Sequence, residues 1–347
     1  MQGAGSCTII GAMTRVRSIR SAAVLAVAIF AWSRGPAQEP GTSGGQDRRV
    51  GRHVSYFLEL HSELLLAARG EPLTSGHQQF TAEIDAYAKA RELAQSMRVW
   101  RLANDACAQS GTLDELRQLG MNLPGDLTAP DREAARKVFD ALVSAWPRFE
   151  AGELPERKRG LETTLKRTVG RYYTAEVEDR IMDSLYDRMG FAPVDRPIGV
   201  YFVVETPFVG AWGETSKGYY VIVPSSGGNA PAVVDEMVHE VTHLIDTRQP
   251  RGSPSVLNRL RQRLARQDAE LVDTFLHGLV AWNAGELVRR HLHELHAPVA
   301  ETSPDYKNQL RPYLPVYRGI WRDFLDGKMG RDEVVEALAS ALEKAHP

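Results

Sequence analysis

An α+β fold, mainly helical, is predicted by three observations. Apolar residues keep a 3.6-residue spacing through most of residues 53–190, the pattern switches to β-branched and aromatic runs at 198–205 and 218–224, and it then returns to helix for the rest of the chain. Composition agrees with a globular chain: of 347 residues 43% are hydrophobic and 25% charged. Forty-two Lys and Arg oppose 44 Asp and Glu, so no overall positive field exists to gather nucleic acid. Two Cys in this length exclude a disulfide framework.

The N-terminus reads as an address. Arg15, Arg17 and Arg20 precede the apolar run Ala22 to Trp32, and Ser33-Arg34-Gly35-Pro36-Ala37 follows. Those are the three regions of a secretory signal peptide over 1–37, with cleavage near Ala37 and a start at Met13 that would leave Cys7 untranslated. A run of that length spans about 16 Å as a helix, too short for a stable membrane span after cleavage. The exported chain is thus expected to be secreted or periplasmic. Cleavage removes four Arg and no acidic residue, taking the formal charge from -2 to -6. The remaining Cys107 is expected to be a buried, inert thiol in a helix.

Residues 38–52, rich in Gly, Gln and Ser without an apolar period, read as a flexible linker. The helical region follows over 53–190. Within it Thr128-Ala129-Pro130-Asp131 opens a helix striped by Val138, Leu142, Val143 and Trp146, and Val177, Ile181, Leu185 and Met189 form another that Gly190 closes. The runs at 198–205 and 218–224 are expected to pair as a small antiparallel unit. Past Ser225-Ser226-Gly227-Gly228 a helix begins with Asn229 as N-cap and Pro231 in its first turn, and stops before Pro250.

That helix carries the chemistry. Residues 237–246 read Met-Val-His-Glu-Val-Thr-His-Leu-Ile-Asp, so His239 and His243 stand four apart and present both imidazoles from one face, close enough to share a metal ion. Glu240 lies about 100° around the helix from His239, outside the metal shell yet placed to move a proton. Val233, Val234, Met237, Val238, Val241, Leu244 and Ile245 supply the opposite, buried stripe.

This HExxH segment resembles the zincin metallopeptidases, over about 70 residues from the strand at Gly218 to the helix around Glu286. The resemblance implies a zincin-like core over 191–347 and one zinc ion held by three protein ligands, with Glu240 as general base toward a zinc-activated water. The residues after His243, Leu244-Ile245-Asp246-Thr247-Arg248, do not match the metzincin pattern. Gluzincins take a Glu from a later helix, and here that helix runs from about Gln267 to His293. Glu286, preceded by the small residues Ala284 and Gly285 that would let two helix backbones approach, is the first choice for third ligand. Its rivals are Glu270, Asp273 and His277. Thermolysin-like gluzincins place Asp four residues after the ligand Glu, where this chain has Arg290.

Further expectations attach to the same resemblance. Tyr306, His277, His291 and His293 are candidates for stabilising an oxyanion. The strand ending at Pro224 stands where zincins lay an extended peptide along a sheet edge. Asp246 either orients an imidazole or caps its helix, and Arg259, Arg261, Arg263 and Arg266 form a solvated face or select acidic substrates. The implied activity is a secreted zinc peptidase acting on peptide or protein. The alternatives are a zincin-like binding or scaffolding module without turnover, and a zinc amidohydrolase acting on cell-wall amides.

Overall fold

Strand β4 (Gly218–Pro224) fixes the architecture, because every residue from Gly218 to Val223 is buried. Successive side chains of a strand point to opposite faces. Tyr219, Val221 and Val223 enter one hydrophobic core, and Tyr220 and Ile222 enter a second. The unbroken apolar run is thus the signature of a strand covered on both sides.

The computed structural model describes residues 50–71, 77–168, 170–204, 211–216, 218–225, 230–250, 252–292, 297–303 and 309–345. The signal peptide expected at 1–37, with Cys7 and Met13, lies outside these residues. So do most of the expected linker, Ser226, Gly227, Gly228 and Asn229, and the candidates His293 and Tyr306.

The sheet has four strands in the order β1-β2-β4-β3, where β1 is Val50–Val54, β2 is Ile198–Val203 and β3 is Ala211–Thr215. The two strands read from the sequence, β2 and β4, pair in parallel rather than antiparallel, with Val200 opposite Val221. The connecting segment forms β3, which pairs antiparallel to β4 on its far side. The antiparallel pairing expected between these two runs is thus not formed, and the antiparallel partner of β4 is β3, whose Ala-Trp-Gly-Glu-Thr carries little β-branched signal. The linker also ends earlier than expected, since Val50 is buried and β1 pairs in parallel with β2.

Helices α1 (Tyr56–Ala68), α2 (Thr81–Leu93), α3 (Arg98–Gln109), α4 (Leu113–Met121) and α5 (Ala129–Gly152) supply the core on one face of the sheet. Their starts follow side-chain chemistry. Ser55 caps α1, Thr112 and Glu115 form a reciprocal capping box on α4, and Thr128 caps α5 with Pro130 in its first turn. Cys107 on α3 is fully buried, which pushes its thiol pKa up. Helix α6 (Leu154–Thr168) ties back through Arg157, which reaches Glu59 at 2.9 Å and Glu63 at 3.1 Å on α1.

The other face is covered by α7 (Ala175–Asp183), α8 (Ala230–Thr247), α9 (Val256–Arg263), α10 (Ala269–His291) and α11 (Arg331–Ala345). Helix α7 continues through one π turn, Ser184–Arg188, before Gly190 ends it at φ +76°. β1 and α7 contribute to the same core as α8 and α10. One compact unit begins at Gln46 and runs to the C-terminus. Among the described residues no helix is long and apolar enough to cross a membrane.

Candidate metal centre

Helix α8 leaves β4 and crosses the core with the predicted stripe inward: Val233, Val234, Met237, Val238, Val241, Leu244 and Ile245 are all buried. Helix α10 packs against it. This second helix starts at the side-chain cap of Asp268 and is buried on every side from Gly278 to Val288, as befits a helix at the centre of a layer. Gly285 makes the approach possible. A Cβ there would stand 2.8 Å from Asp235 Oδ2 of α8 and 2.4 Å from Pro298 Cβ. The small residue before Glu286 thus has the packing role expected of it, but a different side chain benefits.

The nitrogens of His239, His243 and His277 come together, all within 4.8 Å of one another. His239 Nε2 lies 2.8 Å from His243 Nε2, and the His277 ring centroid lies 5.1 Å and 4.9 Å from theirs. Glu286 takes no part in this group. Its carboxylate accepts from Arg289 at 2.8 and 2.6 Å and from Arg290 at 2.8 Å, on a side chain 1% exposed. Helical geometry explains the split: nine residues separate His277 from Glu286, which is two and a half turns, so the two project from opposite faces. The structure thus brings His277, one of the rivals, rather than Glu286 to the two motif histidines.

Of the remaining rivals, Glu270 and Asp273 are exposed. His291 lies about 21 Å along α10 from His277 at 1.5 Å per residue, too far to serve the same centre. Asp246 does not reach an imidazole and instead receives the guanidinium of Arg261, with Arg261 Nη1 3.0 Å from Asp246 Oδ1. The arginines of α9 are likewise tied down and not freely solvated: Arg259 pairs with Asp332, and Arg263 with Glu336 and Glu343.

A second group adjoins the first. Glu236, His239 and Glu240 present ligand atoms within 4.8 Å of one another, with Glu236 Oε2 4.0 Å and Glu240 Oε1 3.9 Å from His239 Nδ1. Glu236 was not singled out in the sequence, although its place three residues before His239 puts it on the same helical face.

Electrostatics divide the cluster. Burial works against charge on His239, but Glu236, Glu240 and Asp235 outweigh it and lift its pKa to about 9. Burial, then His239, His277 and Arg261, push His243 well below its usual value. Burial and His239 bring His277 down to about 3. Burial raises Glu240 to about 7, with Glu236 adding to the rise and His239 opposing it. Two imidazoles are therefore neutral at pH 7, the form a metal binds.

The donor set fits a divalent cation. Tetrahedral zinc with nitrogens at 2.0–2.1 Å spaces its ligand atoms about 3.3 Å apart, above the 2.8 Å between His239 and His243 and inside the 4.8 Å within which all three groups lie. Three imidazoles with no carboxylate also match the ligand type zinc accepts while leaving a fourth position open. His243 and His277 are half-buried whereas His239 and Glu240 are each 2% exposed, so the centre opens on the side of the first two. Comparison with family models, with curated proteins and with solved structures returned no match to this chain.

Proposed function

We propose that the chain is a zinc-dependent hydrolase of amide bonds in peptides, exported by its N-terminal segment, with His239, His243 and His277 as metal ligands and Glu240 as the proton carrier. The observation that carries the reading is the arrival of His277, from a separate helix, at the two motif histidines beside a buried carboxylate. The ligand set differs from that of a gluzincin, so the resemblance to zincins rests on the HExxH helix alone.

Bound zinc supplies a Lewis acid that polarises a carbonyl and makes a water acidic near neutral pH. With zinc held there, Glu240 would take up a proton from that water and return it to the leaving amine. His243 and His277 stay neutral and hold position. Strand β4 is interior, flanked by β2 and β3, so it offers no free edge; an extended peptide would pair along β3, which ends the sheet.

The depth of Glu240 favours one second reading, a metal-binding module without turnover. Zinc content and peptide hydrolysis of Glu240→Ala distinguish the two. The enzyme reading expects stoichiometric zinc and hydrolysis reduced by about 10²–10⁴-fold. Hydrolysis by Glu240→Ala equal to that of the unaltered chain, or none by either protein on peptide libraries, would reject it.

A further inference from the structure

We propose that the cleft at the start of α5 binds a small organic carboxylate, held between the guanidinium groups of Arg132 and Arg136 with its carbon chain against Leu127 and Ala129. The inference is independent of the metal centre, since α5 belongs to the core on the opposite face of the sheet from α8 and α10.

The cleft has a volume of about 510 Å³, in the range of small-molecule sites, and is lined by Leu127, Ala129, Arg132, Glu133 and Arg136. Its two arginines stand four residues apart on α5, side by side on one helical face. Like charges at that spacing repel, so the pair is unfavourable until an anion lies between them. The neighbouring carboxylates are engaged elsewhere. Asp126 pairs with Arg98 at 2.7 Å, and Glu133 with Lys137 at 3.7 Å.

Arg132 is fixed in the wall by backbone, its Nη2 donating to the carbonyls of Gly125 at 2.7 Å and Leu127 at 3.3 Å. Carbonyl oxygens orient a guanidinium without neutralising it, and Arg132 Nε is enclosed without a hydrogen bond. Arg136 is exposed and has no ion-pair partner among the described residues. The amides of the helix start are not the attraction, because Thr128 accepts the N–H of Asp131 and Pro130 has none.

Charge and shape together select the ligand. A carboxylate offers two coplanar oxygens to the guanidinium forks and carries a single negative charge. A phosphate dianion would be drawn to the same arginines but repelled more strongly by Glu133, which lines the cleft with them. Leu127 and Ala129 add apolar surface that a bare ion leaves unused, so an acid with several methylene groups fits best.

The test uses the full chain with hexanoate, acetate and inorganic phosphate as probes, in EDTA so that no metal takes up the acid. Binding is followed by isothermal titration and by amide NMR shifts for the parent, Arg136→Gln and the control Arg180→Gln on α7. Hexanoate is expected to saturate the parent with shifts centred on residues 125–136, and to bind Arg136→Gln at least about 10-fold more weakly. Arg180→Gln should match the parent, and acetate should bind more weakly than hexanoate. Arg136 is exposed, so its substitution is expected to leave thermal unfolding unchanged. No saturable binding of hexanoate by the parent, or equal binding by the parent and Arg136→Gln, would overturn the proposal. Acetate binding as tightly as hexanoate, or phosphate displacing hexanoate at lower concentration, would overturn the choice of an apolar carboxylate.

Discussion

His277 and Glu286 project from opposite faces of α10, one into a cluster of imidazoles and the other into a cage of guanidinium groups. Their separation of nine residues dictates this, so no single rotation of the helix could bring both to His239 and His243. His277→Ala is therefore expected to lose stoichiometric zinc while folding normally. Glu286→Ala should keep its zinc and lose stability instead, by about 2–4 kcal/mol, because Arg289 and Arg290 lose a buried anion. Zinc analysis and urea unfolding of the two variants check this, and zinc loss confined to Glu286→Ala would reverse the assignment.

What could be read in advance follows from the range of the signals. The stripe of α8, the cap of α5 and the burial of Cys107 are local, and each stands as read. The two-sided burial of β4 was also written in its continuous apolar run, but pairing direction was not, because parallel and antiparallel partners draw on the same residue types. The third histidine of the cluster was the least accessible. Glu286 had the small neighbours that close packing needs, and Gly285 does bring α10 onto α8, yet only the azimuth of α10 decides which side chain faces the histidines. That azimuth is set by tertiary contacts such as Trp282 Nε1 to Glu301 at 2.8 Å and Trp321 Nε1 to Asn283 at 3.0 Å.

Metal removal should register as lost stability, because a ligand that binds only the folded chain stabilises it by mass action. At a free zinc concentration about 1,000 times Kd the gain is about 4 kcal/mol. Calorimetry with zinc and with a chelator should therefore show a clear drop in Tm on chelation, and the drop should vanish in His277→Ala. An equal response of both proteins to the chelator would place the stabilising metal elsewhere.

Arg261 joins α9 to α8 through Asp246, whose carboxylate is 1% exposed while the arginine is about a third exposed. Arg261→Met leaves that carboxylate without its guanidinium. A cost of about 2–3 kcal/mol is expected, less than for a fully buried pair because water screens the arginine side. The double variant Asp246→Asn with Arg261→Met should recover part of it. Urea unfolding of the parent, Asp246→Asn, Arg261→Met and the double variant gives the coupling, and strictly additive losses would show that the pair contributes nothing.

Gly285→Ala would gain about 1 kcal/mol of helix propensity in an ordinary helix. Here the added methyl must displace Pro298, whose Cα and Cβ stand at 2.6 and 2.4 Å, or push α10 away from Asp235. Overpacking of that kind costs about 1–3 kcal/mol and moves His277 relative to His243. The variant is expected to be less stable and to bind zinc more weakly. An increase in Tm would mean that the two helices are not in close contact at this glycine.

His61 on α1 is fully buried, with Nδ1 2.8 Å from the Tyr87 hydroxyl, and burial lowers its pKa from 6.5 to about 3. Between those values the unfolded chain binds more protons at this position than the folded one, so stability rises with pH there and is lost on acidification. The loss begins as pH falls through 6.5, grows by about 1.4 kcal/mol per pH unit, and levels off near the folded value of about 3. Relative to neutral pH, roughly 2 kcal/mol should be gone at pH 5 from this group alone. Replacing His61 by Gln removes the titration while keeping a polar side chain toward Tyr87. Urea unfolding at pH 7.5, 6 and 5 should then show the stability difference between His61→Gln and the parent shrinking or reversing as pH falls. A difference that stays constant across that range would mean that His61 titrates alike in both states and that its site admits water.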